Sequence, residues 1–284
     1  MRNPRIYLDH NATSPMRRSV LETMRPFLEG GLANPAGVHA EGRRARVAID
    51  RARAQVAAFV GAQPDEIIFT SGGTEANNTA ILGAVEGKPP STVIVSALEH
   101  RSVLEPSRWL MRQGHRVQLM LSDQRGRVRH KVLPCLIDEK TALVSVMTAN
   151  NEVGTVQPIA EIAATARAHG VLMHTDAVQA AGRLRLDVQA LGVDMMTLSA
   201  HKLGGPQGVG ALYLRRGVSL APRALGGPHE RNRRAGTENV AGIVGFGAAC
   251  AMVRETQDAD ARRQERLRRQ LLDGIRARCP GVAV

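Results

Sequence analysis

Met195-Met196-Thr197-Leu198-Ser199-Ala200-His201-Lys202-Leu203-Gly204-Gly205-Pro206 is the stretch on which the reading of the whole chain turns. Its first four residues are a short apolar run. A polar cluster and a glycine turn close it, the pattern of a buried strand rather than a helix. Lys202 then stands at the tip of a strand, not on a solvated helix face. A lysine amine has a reference pKa of roughly 10.4. Burial or a neighbouring cation lowers that value and frees the lone pair to attack a carbonyl. A loop lysine in water is the plainer alternative, and the rest of the chain has to choose between them.

Working outward, further strands are expected at Glu66–Thr70, Val93–Val95, Val117–Leu121, Ala142–Met147, Val171–His174 and Val209–Leu214, with a short one at Ile6–Leu8. Helical patterns separate them. Ala45, Ile49, Ala52, Val56 and Val60 recur at spacings of three and four and stop at Gly61. Others run from Arg17 to Leu28 before Gly30-Gly31, from Ala76 to Val85, up to Arg112 before Gly114, and from Pro158 to Gly170. Asn239 to Arg278 is helical throughout, first apolar and then strongly charged. Strands alternating with helices predict an α/β fold with a mostly parallel sheet sandwiched between helices.

The 284 residues suffice for one large domain or a large and a small one, and 43% are hydrophobic, so a sizeable core can be buried. Aromatics are only 2%, so aliphatic side chains and methionine must fill it. The net charge of +12 comes from scattered arginines, densest from Arg262 to Arg269, where they alternate with Gln, Glu and Leu as on a solvated helix. That argues against specific nucleic-acid binding and favours anionic small molecules or acidic partners. Cys135, Cys250 and Cys279 lie far apart and form no C-x-x-C pair, which argues against a zinc site or disulfide framework and suits a reducing, cytoplasmic setting. No secretory signal opens the sequence. Its most apolar window, Val240–Val253, is too short to cross a membrane.

In an open α/β sheet, ligands bind beyond the carboxyl ends of the strands. Polar groups gather there. Gly72-Gly73-Thr74 joins a strand to a helix N-terminus, where free amides and the helix dipole suit a phosphate; an ordinary βα turn is the alternative. Asp176 and Gln179 follow another strand. The carboxylate suits a protonated ring nitrogen and the amide a ring oxygen, or Asp176 is simply a helix N-cap. Asn150-Asn151-Glu152 is a polar cluster or a plain turn, and His100 stacks on a flat ring or is structural. A phosphate cradle, a carboxylate for a pyridinium and a lysine for an aldehyde together meet the needs of pyridoxal 5′-phosphate (PLP).

These residues carry a resemblance. The chain resembles the cysteine desulfurases of the NifS/IscS type, class V aminotransferases of PLP fold type I. The matching segments are Tyr7–Thr13, Asn34-Pro35 with His39 and Gly42-Arg43, Phe69–Glu75, Glu99-His100 and Asn150–Gly154. They continue with His174–Gln179, Ser199–Lys202 with Gly205-Pro206, and Arg234–Asn239. They cover nearly the whole chain in family order. The resemblance implies that Lys202 bonds covalently to the PLP aldehyde and that His100 stacks on the ring. It places Asp176 at the pyridine nitrogen, with Gln179 and Asn151 near the phenolate oxygen and the substrate. Gly73, Thr74, Ser199 and His201 would bind the phosphate. Thr237 would reach the phosphate of a partner subunit, implying a homodimer. The implied reaction converts L-cysteine to L-alanine and passes the sulfur as a persulfide to an iron–sulfur scaffold or another acceptor protein.

The resemblance also implies a persulfide cysteine and a carboxylate-binding arginine later than any residue of this sequence. None of the three cysteines stands in the matching context. The chain is therefore expected to be C-terminally short and impaired in turnover. Residues 1–15 would join a small domain, 16–250 form the PLP-binding domain, and 251–284 begin a small domain largely missing. The alternatives are a selenocysteine lyase or another class V aminotransferase, and an inactive fragment that only binds cofactor or a partner.

Overall fold

The computed structural model describes residues 6–30, 34–279 and 281–282. Residues 1–5 of the expected N-terminal segment, Gly31 after the first helix, and residues 280, 283 and 284 of the expected C-terminal segment lie outside these. Seven strands form one sheet: β1 (Ile67–Thr70), β2 (Thr92–Ser96), β3 (Arg116–Met120), β4 (Thr141–Ser145), β5 (Leu172–Asp176), β6 (Met195–Ser199) and β7 (Gly210–Leu214). Their spatial order is β1-β7-β6-β5-β4-β2-β3. β6, β5, β4, β2 and β3 are parallel. β7 runs antiparallel to β6 and to β1, so β1 points the same way as the parallel five. The reversal follows from the short link between β6 and β7, since only antiparallel neighbours can be joined without a long crossover. Gly210 begins β7 because a Cβ there would meet the Gly72 backbone at 2.7 Å.

Successive residues of a strand face opposite sides, and both sides are apolar here. Ile67, Phe69, Ile94, Met196, Leu198, Ala211 and Tyr213 enter one core with α1 (Arg18–Leu28), α2 (Ala40–Val60), α6 (Ile159–Ala168) and α8 (Val240–Arg278). Ile68, Val93, Val95, Met195, Leu212 and Leu214 enter the other with α3 (Gly73–Gly83) and α4 (Arg101–Arg112). Two short helices, α5 (Leu133–Leu136) and α7 (Val188–Leu191), complete the set among the described residues. α8 lies across α1 and α2 through its apolar first half. The glycines that interrupt that half permit close approach: a Cβ on Gly247 would stand 2.6 Å from the Ala52 Cα. Further along, Leu267 and Leu271 are exposed.

β1 is an edge strand, and its outer backbone groups are occupied by a buried ion pair. Arg53 donates two 2.7 Å hydrogen bonds to the Glu230 carboxylate and one of 2.8 Å to the Ile67 carbonyl. The Phe69 amide donates to Glu230 at 2.9 Å. Glu230, Arg231 and Asn232 hold φ of 45°, 58° and 63°, three consecutive left-handed residues.

Two expectations change. Ile6–Leu8 forms no strand; Ile6 is 80% and Leu8 86% exposed, and neither finds a strand to pair with. α3 begins at Gly73 rather than Ala76, so the glycine turn is itself the helix N-terminus.

Candidate active site

The carboxyl ends of β1, β2, β4, β5 and β6 open into one cavity of about 450 Å³. Nine of the ten expected site residues line it: Gly73, Thr74, His100, Asn151, Asp176, Gln179, Ser199, His201 and Lys202. Thr237 does not. It is exposed, on a loop beyond β7, and the structure does not bring it to this cavity.

Lys202 closes a 3-10 turn, Ala200–Lys202, directly after β6. It is half-buried, and its Nζ donates to the carbonyls of Asn11 and, at 2.9 Å, Ala12. Burial lowers its proton affinity and the nearby Arg183 lowers it further, while Asp176 and Asp9 oppose them. Asp176 ends β5 and is 5% exposed. Its Oδ1 accepts from the Val178 amide at 2.9 Å in a turn, with no helix following for it to cap, and its Oδ2 accepts from Asn77 Nδ2 at 2.7 Å at the cavity. Burial pushes this carboxyl above its ordinary range. The amide bonds and the facing His100 and Lys202 pull it back.

Gly73 and Thr74 occupy the first turn of α3, where amides have no intrahelical acceptor and the dipole is positive. His201 Nδ1 lies 3.1 Å from Thr13 Oγ1, and burial, then Lys202, lowers its proton affinity. Gln179 Nε2 donates to the Asn11 carbonyl at 3.0 Å. In the asparagine cluster the two readings divide. Asn150 forms the turn, accepting from the Glu152 and Val153 amides at 2.9 and 3.0 Å, and Asn151 faces the cavity. His100 likewise does both, capping α4 and lining the cavity. Glu99 is fully enclosed. It accepts from Ser96 Oγ at 2.5 Å and the Met147 amide at 2.7 Å, and burial pushes its carboxyl up to about 8.

Sequence reasoning missed Asn11, Asn77, Ser102 and Met147, which share the cavity wall. The signal for Asn77 was a polar residue within the buried stripe Ala76, Ala80, Ile81 of α3. The three cysteines lie elsewhere: Cys135 exposed in α5, Cys250 buried in α8 and Cys279 exposed at its end. Among the described residues no group of three or more histidine, cysteine or acidic side chains could hold a metal, and no helix is long and apolar enough to cross a membrane.

The sequence pattern of the aminotransferase class-V family matches residues 6–284. The chain belongs to this family. Its class-V relatives include the cysteine desulfurase IscS of Dictyoglomus turgidum, 43% identical over 98% of this chain and 71% of that protein. The cysteine desulfurase IscS of Methanosarcina thermophila is 42% identical over 96% of this chain and 68% of that one. A solved NifS-like protein superposes with a TM-score of 0.93 at 39% identity, covering 96% of this chain and 76% of its own. The structure of SspA in complex with cysteine gives 0.84 at 38%, covering 87% and 72%. The fold is that of the PLP-dependent NifS-like enzymes. Class-V cysteine desulfurases depend on PLP, and the cavity suits that group. A buried carboxyl is there to meet a cation, an amine whose proton affinity burial lowers stands on the same wall, and helix-start amides face in.

Proposed function

We propose that this chain is a PLP-dependent cysteine desulfurase in which L-cysteine passes its sulfur to an acceptor thiol as a persulfide and leaves as L-alanine, for iron–sulfur or thio-cofactor assembly, with turnover impaired because none of Cys135, Cys250 and Cys279 lines the cavity. The observation that carries the reading is the sharing of one cavity by Lys202 and Asp176. The amine and the acid come from neighbouring strands, β6 and β5. Lys202 would hold the cofactor aldehyde and Asp176 its ring nitrogen, with Gly73, Thr74, Ser199 and His201 at the phosphate. Asn151 and Gln179 would lie at the phenolate side and His100 against the ring. Bound there, PLP supplies an electron sink for charge withdrawn from the substrate carbons.

The chain's own groups prepare that chemistry. Burial and Arg183 favour the free amine of Lys202, the form that attacks a carbonyl. The Asn11 and Ala12 carbonyls receive its hydrogen atoms and aim it. Burial raises the Asp176 carboxyl, so a protonated ring nitrogen placed against it favours its charged form and is favoured in return. His100 faces the cavity as a group able to hold or move a proton.

Thr237 belongs to this reading as a residue donated to the phosphate of a second subunit in a homodimer. Its exposure supports that role, as does the anchoring of its loop by Arg234, which donates to Glu75 at 2.8 Å beside the phosphate cradle. The unpaired cysteines support a reducing, cytoplasmic setting. The test is product analysis of the PLP-treated protein with L-cysteine and a thiol. Alanine and sulfide in equal amounts support the reading. Alanine formed only when pyruvate is supplied, with cysteine converted to its 2-oxo acid and no sulfide released, refutes it in favour of transamination.

A further inference from the structure

A row of hydrogen bonds crosses the cavity wall from Asp176 to His100, through two residues that the reading above leaves without a task. Asn77 Nδ2 lies 2.7 Å from Asp176 Oδ2 and 2.8 Å from Ser102 Oγ. Ser102 Oγ lies 2.7 Å from His100 Nδ1, and the Ser102 amide donates to the same nitrogen at 3.1 Å. The members come from β5, α3, α4 and the cap of α4, so the fold and not local sequence assembles the row.

Its direction can be derived. An amide nitrogen has two hydrogens and no acceptor capacity. Asn77 spends one on the carboxylate and one on the serine. Ser102 Oγ therefore accepts from Asn77, and its own hydrogen goes to His100 Nδ1. Two donors then converge on Nδ1, which leaves the imidazole proton on Nε2. Asn77 Oδ1 is buried with no partner, a costly arrangement that only a strong acceptor opposite its NH₂ group justifies. Turning the amide would set its oxygen about where Nδ2 now stands, 2.7 Å from Asp176 Oδ2, which is tolerable only if Asp176 carries a proton to donate. Ser102 would then donate to the turned amide oxygen, and His100 would lose one of its two donors.

We propose that Asn77 and Ser102 are positioning residues that transmit the ionisation of Asp176 to His100, holding the imidazole with its proton on Nε2 while Asp176 is charged. The proposal rests on the roles given above to Asp176 and His100, but its test does not require turnover. Side-chain nitrogen NMR of histidine-labelled, cofactor-free protein reads the His100 Nδ1 resonance directly. Asn77→Ala and Ser102→Ala are expected to move it in the same direction, with the double variant moving it no further than Ser102→Ala alone. Asp176→Asn, which removes the charge at the far end, is expected to move it the same way and serves if Asn77→Ala does not fold. In the PLP-treated enzyme, kcat should fall about fivefold in each single variant and in the double, with KM unchanged, the worth of one ordinary hydrogen bond. A resonance that ignores both Asn77→Ala and Asp176→Asn, or shifts that simply add, overturns the proposal. The coupled shifts in a protein that releases no sulfide would uphold the row and refute the desulfurase reading instead.

Discussion

Replacing Glu230 by alanine should destabilise the protein far more than an ordinary ion-pair deletion. Arg53 is 4% and Glu230 6% exposed, so solvent cannot compensate the guanidinium that remains. The substitution also strips the Phe69 amide of its acceptor at the outer edge of β1. Removing one partner of a buried pair costs about 3–5 kcal/mol. With a urea dependence of roughly 3 kcal/mol per molar, that lowers the unfolding midpoint by about 1–2 M. A second variant separates the charge from the backbone contribution. Arg53→Met with Glu230→Leu removes both charges, yet leaves the Ile67 carbonyl and the Phe69 amide unpaired, at about 1–3 kcal/mol each. The double variant should therefore remain below the parent. Equilibrium urea unfolding followed by circular dichroism reads both. A loss under 1 kcal/mol for Glu230→Ala, or full recovery in the double variant, would show that the pair does not secure the strand leading into Gly72–Thr74.

Other outcomes follow from single residues. Arg231 holds φ of 58° at an exposed position, so Arg231→Gly should relieve strain and raise stability by up to about 1 kcal/mol in the same urea assay; a loss would contradict the left-handed turn. Glu99, raised by burial to about 8 from an ordinary 4.5, contributes stability that is full below pH 4.5 and lost as pH rises through about 8. Glu99→Gln keeps an acceptor for the Met147 amide without the titration. Relative to the parent it should gain on the order of 2 kcal/mol between pH 6 and pH 8, and parallel stability curves would refute the enclosed acid.

The sheet and most of the site were legible because both depend on local pattern. Short apolar runs ending in Gly72-Gly73-Thr74, Glu99-His100, Asp176 and Ser199–Lys202 identify strand ends, and the alternation of strands and helices brings such ends to one edge of a sheet. Ile6–Leu8 misled because β-prone composition does not supply a neighbouring strand, and no described strand reaches it. Asn77 was hidden by distance: its partner Asp176 lies 99 residues away and Ser102 lies 25 away. The Arg53–Glu230 pair spans 177 residues, and nothing local marks either one as buried. Thr237 is expected at the phosphate of a partner subunit, and it does not line the cavity of its own chain.

The most direct test of the account is the site at which PLP becomes fixed. The protein is incubated with PLP, reduced with borohydride, digested and sequenced by mass spectrometry. The account predicts a pyridoxyl group on Lys202, its loss in Lys202→Ala, and weaker retention of PLP in Asp176→Ala. Label spread over surface lysines, or retained in Lys202→Ala, would contradict it.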